Sequence, residues 1–393
     1  MNEKKSLESV RTEIDLIDNK ILDLINERAG LAIAAGKVKG DSIKYMPGRE
    51  ASIFNRLKDV NSGPITSEQI ISIYKEIISS CRSTEADFKV AFLGPEGTYS
   101  ESALSAQFGE SVEKLSQQTI ENVFKSVEDN QCDFGIVPIE NSTEGPVNIT
   151  LDCLSKSSVK ICGEIEMKIH HNLLGHNKPL PREGFEIHAH EQTLAQCKKW
   201  LDSYCPDVER IAVASNAQGA INAASSDRVL AIAGDLAAKK YSLDILDSNI
   251  EDYSKNTTRF ISIGKINSSP CGEDKTSLLI TTKNEPGSLY QILKPINDLS
   301  LNLTHITYRP SKVDNWHYSF YLDIEGHQSE DRVKDLLISL KETEANIVAS
   351  GGVAKSFSLD VSSEESIKKC LDSVTERIGE IDILINNAGT TTV

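Results

Sequence analysis

Basic residues are in short supply: Lys and Arg number 42 against 58 Asp and Glu, a formal charge of −16. That balance argues against nucleic acid and anionic membrane surfaces as partners. An anionic ligand has to be captured by local Arg and Lys, against the overall field. Cysteine is sparse and unpatterned, with eight residues and no C-x-x-C pair. This excludes a disulfide framework or a zinc site and predicts free thiols in a reducing cytoplasm. No apolar run reaches the roughly 18 residues of a membrane span. The charged start, MNEKKSLESVRTEIDLIDNK, lacks the apolar core of a signal peptide. There is no internal repeat and no low-complexity segment. What remains is ordinary soluble composition, 39% hydrophobic and 25% charged. At 393 residues the chain is too long for one core and implies about two to four domains.

The most informative stretch is DFGIVPIENSTEGP, from Asp133 to Pro146. An apolar run, Phe134–Val137, is expected to stop at Pro138 and deliver Glu140, Asn141, Ser142 and Thr143 at the carboxyl end of a buried strand. In open α/β folds small anionic ligands bind at that end. GPEGTYS (Gly94–Ser100) follows a predicted strand Lys89–Leu93, and NTTRF (Asn256–Phe260) precedes a predicted strand Ile261–Gly264. Three such loops suggest a pocket for a carboxylated small molecule.

Four regions separate by pattern. Residues 1–86 read as all-helical. Leu7, Val10, Ile14, Ile17, Ile21, Leu24, Arg28, Leu31, Ala35 and Val38 recur at spacings of three and four, a heptad seam. A helix of that length, roughly 50 Å at 1.5 Å per residue, cannot bury its stripe within so small a unit, so a partner chain is expected. Arg28 stands within the apolar seam, where a guanidinium is costly unless an anion pairs with it. Lys39 lies about 20° round the same face. Thr66 with Gln69 forms a capping-box pattern for the third helix. Residues 88–265 alternate strands and helices, an α/β pattern, with 170–236 predicted as a second lobe and Asp244–Leu246 as the return to the first. Residues 275–350 give a β-α-β-β-α order, suggesting an α+β ferredoxin-like module. From about Ala345 the character changes again: Ala354–Val361 reads as a strand, Glu364–Ile378 as a helix and Ile381–Ile385 as a strand, and residues 351–393 form a separate tail.

These residues carry family resemblances. Leu7–Glu85 resembles the all-helical chorismate mutase family, with Arg11, Arg28, Lys39, Arg49, Glu50, Cys81 and Glu85 on its active-site positions. The resemblance implies a Claisen rearrangement in which the arginines grip two carboxylates and Lys39 donates to the ether oxygen. Glu85 takes the other ether-oxygen position, where some relatives have Gln. GPEGTYS, PIENSTEG, His171–Leu174 and NTTRF occur in the order and spacing of prephenate dehydratases. That family implies a two-lobed, periplasmic-binding-protein-like α/β fold and removal of the ring hydroxyl and carbon dioxide from prephenate. Thr258 would donate the proton. Ser100, Asn141, Ser142, Thr143 and Arg259 would bind substrate. His188 and His190 lie on one side of a predicted strand, but no acidic or cysteine set completes a metal site.

The segments Asn284–Leu289 and Thr307–Pro310 resemble the paired effector motifs of the ACT module of dehydratases. The implied effector is phenylalanine, held between modules of two chains by Gly287, Leu289, Leu303, Thr307 and Arg309. The tail, ending Ile381–Gly389, resembles an interior piece of a short-chain dehydrogenase. It has no Gly-rich phosphate loop before it and no Tyr-x-x-x-Lys after it, so NAD binding is rejected. The tail is expected to be passive, except that the module's last strand either comes from it, at Val353–Leu359, or is missing. The combined expectation is a multidomain, cytoplasmic, bifunctional chorismate mutase and prephenate dehydratase for phenylalanine synthesis. It needs no cofactor and no metal and forms a homodimer or a dimer of dimers. The alternatives are an arogenate-preferring dehydratase and a non-catalytic aromatic-metabolite sensor, which would need neither Lys39 nor Thr258.

Overall fold

The structure is a computed structural model that describes residues 6–39, 45–85, 87–176, 184–283, 285–310, 317–349 and 383–390. Three helices open the chain: α1 (Leu7–Lys39), α2 (Pro47–Val60) and α3 (Ser67–Glu85). The capping box forms as its sequence predicts. Gln69 N donates to Thr66 Oγ1 at 3.3 Å and Thr66 N donates to Gln69 Oε1 at 3.1 Å. On the single chain the α1 seam lies open, with Leu24 and Leu31 63% and 66% exposed. Aromatic packing fastens the helical unit to the α/β unit. The Tyr45 ring lies 5.0 Å from Phe108 and 5.2 Å from Phe134, centroid to centroid.

The first lobe of the α/β unit runs β1 (Lys89–Leu93), α4 (Tyr99–Phe108), β2 (Glu113–Gln117), α5 (Ile120–Glu128), β3 (Phe134–Asn141), β4 (Gly145–Pro146), α6 (Asn148–Leu154) and β5 (Lys160–Lys168). The second lobe holds β6 (Asn172–Gly175), β7 (Glu186–Ala189), α7 (Glu191–Gln196), α8 (Lys198–Tyr204), β8 (Glu209–Ala212), α9 (Asn216–Ala224), β9 (Val229–Ala233), α10 (Asp235–Lys240) and β10 (Asp244–Asp247). The chain then returns with β11 (Thr257–Gly264). Asp244–Leu246 therefore belongs to the second lobe, not to the return: β10 pairs with β6 in a sheet ordered β10-β6-β9-β7-β8.

A second correction concerns Pro138. β3 does not stop there but continues to Asn141. Phe260 is opposite Pro138 and Arg259 is opposite Glu140, so Ile139 is the extra residue of a β-bulge. A proline without an N–H is tolerated where the ladder is already interrupted.

The last unit contains β12 (Asp274–Lys283), α11 (Ser288–Asp298), β13 (Leu303–Pro310), β14 (His317–Glu325), α12 (Asp331–Ala349) and β15 (Ile383–Thr390). Its strands are ordered β13-β14-β12-β15, with helices packed on one face around Leu278, Ile292, Leu322 and Leu336. The final strand does come from the tail, as expected, but it is Ile383–Thr390. The predicted strand at Val353–Leu359 and the predicted helix Glu364–Ile378 lie outside the described residues. β15 pairs antiparallel with β12 along Asp274–Ile280, and parallel with β5 at Gly163 and Glu164. It thereby joins the C-terminal sheet to the first-lobe sheet, in the order β12-β15-β5-β11-β3-β1-β2. No helix among the described residues is long and apolar enough to cross a membrane.

Candidate active sites

Asn141 ends β3 and Thr258 is the second residue of β11, and the two are register partners. The Asn141 side chain is oriented unambiguously. Its Oδ1 accepts from the backbone N–H groups of Thr143 (3.0 Å) and Glu144 (3.2 Å) and from Thr143 Oγ1 (2.6 Å). Nδ2 is therefore the atom that faces Thr258 Oγ1, to which it donates at 2.8 Å, and it also donates to Asn256 Oδ1 at 2.8 Å. Thr258 is buried. With its oxygen accepting, the Thr258 hydroxyl hydrogen is the donor left for the cleft.

The second lobe reaches this site through Gln196 at the end of α7, a residue that sequence reasoning missed. Gln196 Nε2 donates to Thr143 Oγ1 (3.1 Å), and its Oε1 accepts from Asn256 Nδ2 (3.1 Å). The same oxygen meets His171 Nε2 at 3.0 Å. Tyr99 places its hydroxyl 2.9 Å from His171 Nδ1 while donating to His170 O at 2.6 Å. Burial holds the pKa of His171 below its ordinary value, outweighing the opposing pull of Gln196 and Glu251. The imidazole is neutral, and protonation at Nε2 serves the Gln196 contact.

The other predicted dehydratase residues divide. Thr143 lies in the network. Ser142 fastens strands instead: its N–H donates to Thr257 O and its Oγ accepts from Thr257 N, each at 2.9 Å. Ser100 is buried in the first turn of α4. The loop before it is clamped to the second lobe, with Lys240 Nζ 2.9 Å from both Glu96 and Glu101. Arg259 is not in the cleft. Successive strand side chains face opposite ways, so Arg259 points to the back of β11. There Nη1 donates to Glu140 (2.8 Å), and Nη2 donates to Glu164 (2.6 Å) and Asp323 (2.7 Å). Burial disfavours its charge, but Glu164 and Asp323 more than offset that and hold the pKa above the usual arginine value. The reading of Arg259 as a substrate contact is corrected accordingly. His188 pairs with Glu186 at 2.8 Å, and no metal-holding cluster occurs among the described residues.

In the helical unit, Glu85 lies against α1 one turn before Lys39. A methyl group at Gly36 would sit 2.5 Å from Glu85 Cγ. Lys39 closes α1, and its side chain lies outside the described residues. Arg11 and Arg49 are exposed, Arg28 is half-buried and Cys81 is buried. Glu50 departs from expectation. Its carboxylate is ion-paired with Arg82, whose guanidinium also lies 4.8 Å over the Tyr45 ring. Burial raises the Glu50 pKa, opposed by Arg82, then Lys75, then Arg28. Arg28 and Glu50 therefore share one electrostatic neighbourhood, but Glu50 holds Arg82 rather than standing open to substrate.

The family comparisons fall on the same units. A family model for chorismate mutase type II matches residues 10–86, and one for prephenate dehydratase matches 90–268. A bifunctional chorismate mutase/prephenate dehydratase of Stutzerimonas stutzeri is 42% identical over 344 residues, covering 86% of this chain and 94% of the relative. The chain belongs to the bifunctional chorismate mutase/prephenate dehydratase family. It carries both activities, an isomerase and a lyase, on the two matched units. Among solved structures, a prephenate dehydratase from Arthrobacter aurescens in complex with L-Phe superposes with TM-score 0.59 and 27% identity, covering 73% of this chain and 99% of that one. A quorum-quenching acylase, GqqA, also gives TM-score 0.59, at 26% identity over 65% of this chain and 93% of that one. A short-chain dehydrogenase model matches residues 330–393. That match begins within the C-terminal unit, earlier than the shift in character near Ala345.

Beyond this family's two catalytic units, the residues predicted to bind an effector do not all converge. Gly287 adopts φ 89° at the start of α11, a conformation that favours glycine, and Leu289, two residues on, is exposed. Leu303 packs into the module's own core. A register shift between Leu303 and His305 then turns His305, Thr307 and Arg309 to the opposite sheet face. Arg309 Nη1 donates to Asp152 Oδ1 and to Asn148 O, both at 2.6 Å. Arg309 is thus a tie to α6, not an open effector contact, and Leu303 is a core residue.

Proposed function

We propose that Thr258 is the proton donor of the dehydratase reaction. As the bond from the ring to its carboxylate breaks and carbon dioxide leaves, the ring becomes aromatic and the hydroxyl departs as water with the Thr258 proton. Threonine is a weak acid, so the step relies on a concerted, water-poor site. The observation that carries this reading is the 2.8 Å donation from Asn141 Nδ2 to Thr258 Oγ1, which stabilises the oxygen as it loses its proton. Ser100 binds a substrate carboxylate, while Thr143 and the N–H groups of residues 142–144, already engaged by Asn141 Oδ1 and Thr257 O, keep Asn141 in place. In the mutase unit, Arg28, Arg49 and a partner-chain Arg11 hold the substrate carboxylates, and Lys39 and Glu85 serve the ether oxygen. The open α1 seam supports a homodimer that closes this site. The seven described cysteines, all free thiols, support a reducing cytoplasm.

The C-terminal unit is read as an ACT module for phenylalanine, at Gly287 and Leu289 and completed by a second chain at the exposed edge of β13. Its support is the strand order and the L-Phe complex of the Arthrobacter aurescens dehydratase. The test is incubation of the purified chain with chorismate. Prephenate should appear first and phenylpyruvate after it, with phenylalanine slowing only the second step. Failure to consume either chorismate or prephenate would sink the reading.

A further inference from the structure

Arg259 lies directly behind Thr258, and one of its three carboxylates belongs to another unit. Asp323, on β14 of the C-terminal module, is buried and accepts from Arg259 Nη2 at 2.7 Å and from Ser277 Oγ at 2.6 Å. The same module sets His305 Nδ1 3.4 Å from Glu140, the other strand-end partner of Arg259, and Lys275 Nζ 2.6 Å from Glu164. The Arg259–Glu140 pair is the first register pair beyond the bulge at Ile139. Bulges re-aim the side chains beyond them. Here the next pair along is Thr258 and Asn141, whose 2.8 Å contact defines the cleft. Whatever fixes Arg259 against Glu140 therefore fixes the angle at which β3 and β11 present Asn141 and Thr258.

We propose that Asp323 is a positioning residue for the dehydratase reaction, acting from the C-terminal module through Arg259 to hold Thr258 against Asn141. Asp323 touches no substrate, since it lies on the far face of the sheet. It supplies a fixed anion that, with Glu164, anchors one end of the guanidinium while Glu140 takes the other. Three carboxylates held by the two terminal nitrogens of one planar guanidinium fix its direction as well as its charge. The dehydratase site is incomplete without the module, even when no effector is bound. The proposal rests on the reading of Thr258 as donor, and its test separates the two.

The test is a cycle of Asp323→Asn, Arg259→Gln and the double variant, in the full-length protein. Asp323→Asn should lower dehydratase kcat about tenfold with KM for prephenate within about twofold, the signature of lost transition-state positioning. Mutase kcat in the same protein should not change. In the Arg259→Gln background, adding Asp323→Asn should change kcat by less than about twofold, because the two act through one contact. Ser277→Ala removes the other support of Asp323 and should lower kcat about threefold by the same logic; it keeps the test open if Asp323→Asn proves insoluble. The proposal is overturned if kcat survives Asp323→Asn, if KM rises instead, or if the two losses multiply. A cycle that couples as described while Thr258→Val stays active would overturn the donor assignment alone.

Discussion

A threonine hydroxyl does acid chemistry only as well as its neighbours allow, and the neighbours of Thr258 come from three places in the chain. Asn141 and Thr143 were legible in the sequence because they stand in one contiguous polar loop behind an apolar run. Gln196 was not. Its contacts reach Thr143, His171 and Asn256, 53, 25 and 60 residues away, and no local periodicity marks it. Arg259 was misread because adjacency to Thr258 in sequence puts it on the opposite face of a strand.

His171 leads to a pH prediction. Its pKa is lowered in the folded chain, whereas the unfolded chain takes up a proton near 6.5. As pH falls below that value the unfolded state binds the proton first. Stability is then lost down to the folded pKa, by up to about 1.4 kcal/mol per pH unit. Urea midpoints of the dehydratase unit between pH 7 and 5 should fall, and His171→Gln should flatten that fall; an unchanged slope contradicts it. Glu85 gives a second prediction. A carboxylate can donate to an ether oxygen only when protonated, whereas an amide always can. Glu85→Gln should raise mutase kcat/KM, because the amide supplies that donor at all times; an unchanged or lower value would count against that role.

At the scale of elements, the helices were the most legible. The α1 seam and the Thr66–Gln69 box are local patterns with local causes. The bulge in β3 was hidden because it is defined by pairing with β11, more than a hundred residues later in the chain. β15 was legible as a strand, at Ile381–Ile385, but not as part of the module: the tail's sequence resembles a fragment of another family, and only the open edge of β12 gives the strand its place. Its position changes the expectation that the tail is passive. A strand hydrogen-bonded along Asp274–Ile280 on one side and to β5 on the other covers two edges that would otherwise be open for aggregation. Deleting 351–393 should reduce soluble yield and dehydratase activity while sparing mutase activity. Normal yield and both activities intact after that deletion would show the strand to be dispensable.

For the whole molecule, the seam and the charge belong together. An acidic chain of charge −16 turns a dianionic substrate into a local problem, which the proposed dimer solves where the exposed α1 seam meets a partner. Each Leu or Ile fully buried there contributes about 1.5–3 kcal/mol. Ile17→Glu should shift the solution mass toward the 43.2 kDa of one chain and remove mutase activity, with dehydration of supplied prephenate continuing. A variant that stays dimeric and active as a mutase would place the interface elsewhere.

Two activities share one chain, and the proposed chemistry of the second depends on a single hydroxyl. The direct measurement is chorismate supplied to Thr258→Val at neutral pH, with prephenate and phenylpyruvate followed by chromatography. Chorismate should disappear at the parent rate and prephenate should accumulate, while phenylpyruvate formation falls by about two to four orders of magnitude. Phenylpyruvate formed at the parent rate would contradict the assignment of Thr258 as the acid.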